Sequence, residues 1–213
     1  MADQIQKYEG ENIIVYFESA RCIHAARCIS GLPEVFKPDV PGPWIEPDAA
    51  DAKRLAALIK TCPSGALYFE RKDSGTNESA PAINTINIVA DGPLSVNGDL
   101  ILNSQQESSP RATLCRCGAS KNKPYCDNSH SEIGFKDSGV PKTDDLSHDL
   151  NSEPFSVATT KDGPLVMAGS VEIRNADNTA INRVKSLALC RCGASKNKPY
   201  CDGSHVQIDF KAG

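Results

Sequence analysis

The sequence predicts an α+β protein with one N-terminal unit followed by two smaller, β-rich units. The main observation is an internal repeat: residues 114–127 read LCRCGASKNKPYCD, and residues 189–202 read the same fourteen letters. Two polar stretches rich in Ser, Asp, Asn, Gly and Pro, residues 71–81 and 137–154, separate the units. We therefore expect domains at residues 1–72, 81–137 and 152–213.

The N-terminal unit is expected to contain a strand and an amphipathic helix. Residues 12–18 are mostly β-branched or aromatic, which favours a strand. Residues 48–61 carry apolar side chains at helical spacing, at Ala52, Leu55, Leu58 and Ile59. Pro63 should end this helix directly after Cys62.

In both repeats, short apolar segments precede the cysteine-rich loop and favour strands. They lie at residues 86–88, 100–102, 155–160 and 171–173. The tripeptide Asp-Gly-Pro then predicts a turn at 91–93 and at 162–164. Beyond the loop, IGFK at 133–136 matches IDFK at 208–211, so the repeat is a unit of roughly 60 residues.

The composition excludes several classes of function. The formal net charge is −4 and no basic stripe combines with aromatic residues, so we expect no nucleic-acid partner. Residues 1–10 lack the features of a signal peptide, and no run approaches the roughly 18 apolar residues that cross a bilayer. We expect a cytoplasmic protein without a membrane partner, in which nine cysteines, an odd number, stay reduced.

Each repeat carries cysteine and histidine at one spacing, C-x-C-x8-C-x3-H. The donors are Cys115, Cys117, Cys126 and His130, then Cys190, Cys192, Cys201 and His205. Thiolate and imidazole are soft or borderline ligands, so this spacing predicts a metal site in each repeat. Asp127 and Asp202 are expected to cap a helix that carries the histidine. Arg116, Arg191 and the nearby lysines should favour thiolate over thiol.

These segments resemble the mitoNEET-like CDGSH iron–sulfur domain family, with the pattern C-x-C-x2-S/T-x3-P-x-C-D-G-S/A/T-H. The second copy meets every position, and the first departs only at Asn128, which suits a left-handed backbone position almost as well as glycine. The resemblance implies a [2Fe–2S] cluster with three-Cys, one-His ligation in each repeat, and two CDGSH domains packed as an intramolecular pseudo-dimer. We assign cofactor-binding roles to Arg116, Ser120, Asp127, Arg191, Ser195 and Asp202.

Structural zinc is the alternative cofactor, because zinc also accepts three cysteines and one histidine. Zinc sites usually pair their cysteines as C-x2–4-C. Here a single residue separates the first two cysteines of each copy, and the full motif favours iron.

The N-terminal unit presents three cysteines as C-x5-C…C-P, at Cys22, Cys28 and Cys62. This order resembles a single-cluster bacterial ferredoxin, with Ala25 where a second loop cysteine would stand. The resemblance implies a ferredoxin-like domain with a [3Fe–4S] cluster, or with a [4Fe–4S] cluster that has one non-cysteine ligand. His24 is the candidate for that ligand. The alternative is a degenerate domain with three buried thiols and no cluster.

Electron transfer is the function that these sites favour, with a redox protein as partner. The alternative is a cluster-transfer or redox- and iron-sensing protein, whose partner is an apo-acceptor. We find no Gly-rich nucleotide loop and no nucleophile with an acid and base, so we do not expect an enzyme. Basic residues beside the loops either steer an acidic partner or are solvated surface charges. We expect a monomer, since the paired domains lie in one chain.

Overall fold

The computed structural model describes residues 5–141 and 145–212. The chain divides into two compact units, Met1–Ser79 and Ala80–Gly213. The described residues form mostly sheet with a few short helices, as the α+β class predicts. The helices are α1 (Arg27–Gly31), α2 (Ala52–Ile59), α3 (Ser129–Glu132) and α4 (Ser204–Gln207). The strands are β1 (Gln6–Glu9), β2 (Ile13–Phe17), β3 (Leu67–Arg71), β4 (Thr85–Ile88), β5 (Leu94–Asn97), β6 (Leu100–Leu102), β7 (Gln105–Gln106), β8 (Arg111–Leu114), β9 (Phe155–Thr159), β10 (Leu165–Arg174) and β11 (Ala180–Leu189).

The N-terminal unit is an antiparallel sheet of order β1-β2-β3. Strand β2 occupies the predicted segment, and helix α2 is shorter than predicted. It starts at Ala52 because Pro47–Ala49 forms a separate 3-10 turn and Asp51 caps the helix. The Asp51 carboxylate accepts the backbone N–H groups of the two residues that follow Ala52, at 2.9 and 3.1 Å. The buried face of α2 contains Ala52, Leu55, Ala56 and Ile59, whereas Leu58 is only half-buried.

The C-terminal unit is an eight-stranded sheet. Its order is β7-β6-β9-β10-β4-β5-β8, with β11 also paired to β10. The four strand segments predicted for the repeats lie in β4, β6, β9 and β10. The two predicted domains, 81–137 and 152–213, therefore share one sheet within one compact unit.

The two repeats exchange strands reciprocally. Strand β6 of the first repeat pairs parallel with β9 of the second, and β10 of the second pairs parallel with β4 of the first. The registers are Ile101 opposite Ser156, and Glu172 opposite Thr85. When Asp91 is aligned on Asp162, residue 101 corresponds to 172 and residue 85 to 156. The two exchanges thus have the same register, so each repeat completes the sheet of the other.

One hydrophobic core serves both repeats. Ile86 and Leu114 come from the first repeat, and Val157, Met167 and Leu189 come from the second; all five are fully buried in a single cluster. Alternate residues of these strands point to the core, as expected for a sheet with one apolar face. The core supports the ends of β8 and β11, where the two cysteine-rich loops begin.

Candidate iron–sulfur sites

Each C-terminal loop folds back on the strand that precedes it. Cys115 N–H donates to the carbonyl of Pro124, and Cys126 N–H donates to the carbonyl of Thr113, both at 2.8 Å. An antiparallel bridge joins Leu114 to Tyr125 across the loop. The same bonds recur in the second copy at 2.7 and 2.9 Å. The sheet therefore places the first and third cysteines of each repeat side by side.

The four donors of each repeat form two close pairs. The Sγ atoms of Cys115 and Cys117 are 3.8 Å apart, and Cys126 Sγ is 3.4 Å from His130 Nδ1. The second copy has the same distances, 3.8 Å and 3.4 Å. Within the described ranges, no group of three or more His, Cys, Asp or Glu side chains converges to hold one metal ion. The two pairs of the first repeat are near each other, because the charge of Cys126 acts on Cys117 and that of Cys115 acts on Cys126.

The histidines lie in the first turn of α3 and α4, as the sequence predicts. The helix caps differ from the prediction, because Asn128 and Gly203 occupy the N-cap positions with φ of 73° and 85°. Asp127 and Asp202 lie one residue earlier, where each still accepts the N–H of the first helical residue at 3.0 Å. Space is open around Gly203, which explains why asparagine is accommodated at the equivalent position 128.

Serine and aspartate side chains fix the loop between the second and third cysteines. Ser120 Oγ donates to the carbonyl of Tyr125 at 2.7 Å, and Asp127 Oδ2 accepts the N–H of Lys121 at 2.8 Å. Ser195 and Asp202 make the same two bonds in the second copy, at 2.7 and 2.8 Å. These four residues hold the loop in shape through its own backbone.

Arg116 and Arg191 are fully buried, at 0% and 1% exposure. Each guanidinium donates to carbonyl oxygens of the Asp-Gly-Pro turn region of its own repeat. Each also lies over a ring, Phe135 at 5.2 Å and Phe210 at 5.6 Å. Burial rules out the interpretation of these two arginines as partner-steering or solvated surface charges, because neither reaches solvent.

Burial and the hydrogen bond between Cys115 and Cys117, rather than the basic residues, are the main causes of the shifts in thiol pKa. It raises the pKa of Cys126 to about 11 and the pKa of Cys190 to about 11. The hydrogen bond between Cys115 and Cys117 lowers the pKa of Cys117 to about 6 and raises that of Cys115. Burial, and then the charge of Arg116, lowers the pKa of His130. Among these thiols, Cys117 is the one whose pKa favours the thiolate, and burial opposes the thiolate at Cys126 and Cys190.

The two loops contact each other through glycines whose role the sequence analysis missed. Gly118 and Gly193 have φ of 84° and 81°, and a Cβ on either would lie 2.8 Å from the carbonyl carbon of Cys192 or Cys117 respectively. The sequence feature that could have indicated this contact is the glycine that follows C-x-C in both copies. Lys123 and Lys198 also cross between repeats, to lie 5.8 and 5.9 Å from the rings of Phe210 and Phe135.

In the N-terminal unit, the three cysteines come together at the ends of short helices. Cys22 follows a 3-10 turn, Cys28 lies in α1, and Cys62 follows α2. All three are half-buried. Burial raises the pKa of Cys22 and of Cys28, and the charge of Cys62 acts on both. The three thiols are therefore within electrostatic reach of one another.

The loop between Cys22 and Cys28 winds around the first thiol. The backbone N–H of His24 donates to Cys22 Sγ at 3.4 Å. His24 and Ala26 both adopt left-handed conformations, with φ of 53° and 57°. His24 is exposed, and it is the backbone of this residue that approaches the thiol.

None of the nine cysteines, all within the described residues, forms a disulfide. No helix in the described ranges is long and apolar enough to cross a membrane.

Comparison with known proteins identifies the three segments. A family described as "Divergent 4Fe-4S mono-cluster" matches residues 8–72, and one described as "Iron-binding zinc finger CDGSH type" matches residues 91–131 and 162–206. The "Uncharacterized protein YjdI" of Escherichia coli K12 is 43% identical over 65 residues, which are 30% of this chain and 84% of that protein. The protein of the same name from E. coli O157:H7 matches equally. No solved structure matches. The chain belongs to the iron–sulfur proteins that join a divergent 4Fe-4S mono-cluster domain to tandem CDGSH segments.

Proposed function

We propose that the chain is an electron-transfer protein that binds two [2Fe–2S] clusters through Cys3His ligation and a third cluster in the N-terminal unit. The pairing of donors is the observation that carries the proposal. In each repeat, two cysteines form one pair at 3.8 Å, and a cysteine and a histidine form the other at 3.4 Å. A dinuclear cluster needs two such pairs, one for each iron.

A single zinc ion fits this arrangement less well. With metal–sulfur bonds of about 2.3 Å, tetrahedral ligands of one metal are roughly 3.8 Å apart. In a mononuclear site all four donors would be separated by about this distance, and a convergent group of three or four would result. Among the described residues the donors meet only in twos.

The protein presents the two ends of each site differently. Cys115 and Cys190 are buried at 1% exposure, whereas His130 and His205 are half-buried. A [2Fe–2S] cluster, when bound, supplies a centre that takes up and releases one electron. The cysteine end excludes water, and the histidine end is the side from which a partner can approach. The second ring nitrogen of each histidine can then hold a proton when the charge of the site changes.

The two repeats act as a pseudo-dimer within the chain. The reciprocal strand exchange supports this arrangement, because both exchanges have the same register. The glycine contacts between the two loops support it as well, since each loop touches the other at the equivalent residue. The two sites are thereby held in one rigid sheet and can pass electrons to each other without movement of domains.

The partner is an acidic redox protein, and the chain has no turnover of its own. Lys121 and Lys196 are exposed beside the two loops. Lys123 and Lys198, which lie two residues further along each loop, instead donate to the backbone carbonyls of Ser120 and Ser195. Exposed positive charge near a redox site accelerates encounter with a negatively charged partner.

The N-terminal cluster is [3Fe–4S], or [4Fe–4S] with one ligand that is not cysteine. Three thiols suffice for the first, and the loop N–H directed at Cys22 is the type of bond that cluster sulfur atoms and ligating thiolates accept. His24 is the proposed extra ligand for the second, which would require its exposed ring to turn towards the thiols.

Purification without oxygen, followed by iron, sulfide and zinc analysis and by EPR, tests the proposal. We expect two irons and two sulfides at each C-terminal site, and a reduced [2Fe–2S] spectrum. Cys117→Ser and Cys192→Ser should each remove one such centre, and Cys62→Ser should remove only the N-terminal signal. His148→Ala, in the polar segment between the repeats, is the control that should leave all centres in place. Colourless, zinc-loaded protein would refute the proposal.

Cluster transfer is the second candidate function, favoured by the partial exposure of the histidine end of each site. Ligand exchange there would release the cluster towards an acceptor. Prompt transfer to an apo-ferredoxin from the oxidised protein alone would support this function. Retention of the clusters in both redox states would support electron transfer.

A further inference from the structure

The buried arginine of each repeat is held in the same way at two of its three nitrogens. The Nε and Nη2 atoms donate to backbone carbonyls of the preceding turn in both copies. The distances are 3.0 and 2.7 Å for Arg116, and 2.9 and 2.6 Å for Arg191. The two guanidinium groups are thus placed alike with respect to their own loops.

The third nitrogen differs between the copies. Nη1 of Arg116 forms a hydrogen-bonded ion pair with the carboxylate of Asp137, which is mostly buried. Nη1 of Arg191 is buried and has no hydrogen-bond partner among the described residues. The residue at the corresponding place is Ala212, whose carbonyl accepts from Nη2 at 3.0 Å.

Positions 137 and 212 have the same backbone setting. The N–H of each donates to the carboxylate of the turn aspartate, Asp91 or Asp162, at 2.8 Å. The carbonyl of each accepts the N–H of the same aspartate, also at 2.8 Å. The two positions therefore pair in the same way with the turn aspartate, and their side chains differ, with a charge in the first repeat and none in the second.

Three other charge differences between the copies are not fully exposed. Arg111 is buried and Glu107 is half-buried in the first repeat, where Glu107 accepts a hydrogen bond from the Tyr125 hydroxyl at 3.0 Å. Glu172 is buried in the second repeat, where it pairs with Arg174 and Arg183.

The remaining differences lie in solvent. Glu132 and Asp209 each add one exposed carboxylate, one per repeat, and Asp209 pairs with Lys211 at 2.6 Å. Lys161 adds an exposed positive charge to the second repeat. Exposed charges are screened within about 10 Å by salt, whereas a buried charge is screened far less. Asp137 is the charge difference that pairs directly with the arginine between the first two cysteines of its repeat.

We propose that Asp137 makes the two [2Fe–2S] sites unequal, so that the second site accepts an electron before the first. This inference rests on the proposed function. Reduction adds negative charge to a site, and a buried cation nearby favours it. The turn aspartates Asp91 and Asp162 act on the arginine of their own repeat in both copies. Asp137 adds a second negative charge beside Arg116, and Ala212 adds none beside Arg191. Arg191 also acts on Cys115 of the first repeat. Its charge therefore favours reduction of the first site as well, and the difference between the two reduction potentials becomes smaller.

The expected size of the effect follows from Coulomb's law. One charge at roughly 10 Å, in an effective dielectric constant of about 20, changes a one-electron equilibrium by roughly tenfold. For a one-electron couple, this factor corresponds to about 59 mV.

A redox titration of the complete, cluster-loaded chain, followed by EPR and visible absorption, tests the inference. We expect two separate [2Fe–2S] steps. His130→Cys and His205→Cys assign them, because a thiolate in place of imidazole lowers the potential of its own site. The step of lower potential should move in His130→Cys.

Charge exchange at the two equivalent positions completes the test. Asp137→Asn keeps an acceptor for Arg116 but removes the charge. The reduction equilibrium of the lower-potential site should therefore become roughly tenfold more favourable, and the two reduction potentials should approach each other. Ala212→Asp should make reduction of the other site less favourable by a similar factor. Ala212→Asp alone decides the question if Asp137→Asn lowers cluster content.

Two clusters with identical potentials, or a gap unchanged by both variants, would overturn the inference and leave the proposed function intact. A chain without reducible [2Fe–2S] centres would overturn both.

Discussion

Gly118→Ala should separate the two cluster loops. The added Cβ would lie 2.8 Å from the carbonyl carbon of Cys192 and closer still to its oxygen. The obstacle is backbone, so no side-chain rotation can relieve it. The residue also has φ of 84°, where an alanine is strained by about 1–2 kcal/mol.

The magnitude combines this strain with the cost of overpacking, typically about 1–3 kcal/mol. We expect a loss of about 3 kcal/mol in the free energy of unfolding of the C-terminal unit. Gly193→Ala meets the carbonyl of Cys117 at the equivalent place and should cost the same. Both variants should also hold less [2Fe–2S] cluster.

Gly203→Ala is the matched control, because it has φ of 85° and nothing within 4 Å of the added Cβ. It should cost only the strain of about 1–2 kcal/mol. Urea unfolding followed by circular dichroism and by cluster absorption measures all three variants. If Gly118→Ala were no more destabilised than Gly203→Ala, the contact between the loops would not constrain the structure, and the reasoning would be wrong.

Three further predictions concern other parts of the chain. Asp51→Ala removes the cap of α2 and should destabilise the N-terminal unit by about 1 kcal/mol, measured by urea unfolding; an unchanged midpoint would contradict the capping role. Cys62→Ser should lower iron content by three or four per chain without changing the reduced [2Fe–2S] signal, because the N-terminal unit is a separate compact unit. Acid should release the [2Fe–2S] clusters below about pH 6, since protonation of the histidines competes with iron; absorption decay should slow in the His130→Cys, His205→Cys double variant, and equal decay would exclude this mechanism.

The repeat and the donor spacing carried most of what could be predicted. The fourteen identical residues contain the three cysteines of each repeat and give the same distance between the first two, because the loop is fixed by its own Ser120, Asp127 and their copies. The spacing of apolar residues predicted the strands and α2, although it extended α2 through a proline-started 3-10 turn.

Long-range features could not be predicted from the sequence. Arg116 and Arg191 look like surface residues in a polar loop, and only the packing of the loop against the preceding turn shows that they are buried. The strand exchange depends on which edges of the repeats meet. A periodicity of two identifies a strand but not its neighbour in the sheet.

The reciprocal exchange of β6 and β10 between the repeats has a consequence for how such a protein behaves at low abundance. Two separate copies would need to find each other, and their association would weaken on dilution. A tether holds the halves at an effective concentration in the millimolar range, so the paired state persists in a cell that makes only a few molecules. Because both halves are in one chain, each can also change its sequence independently. Asp137, which has Ala212 at the matched position, is such a difference, and a dimer of identical chains could not have it.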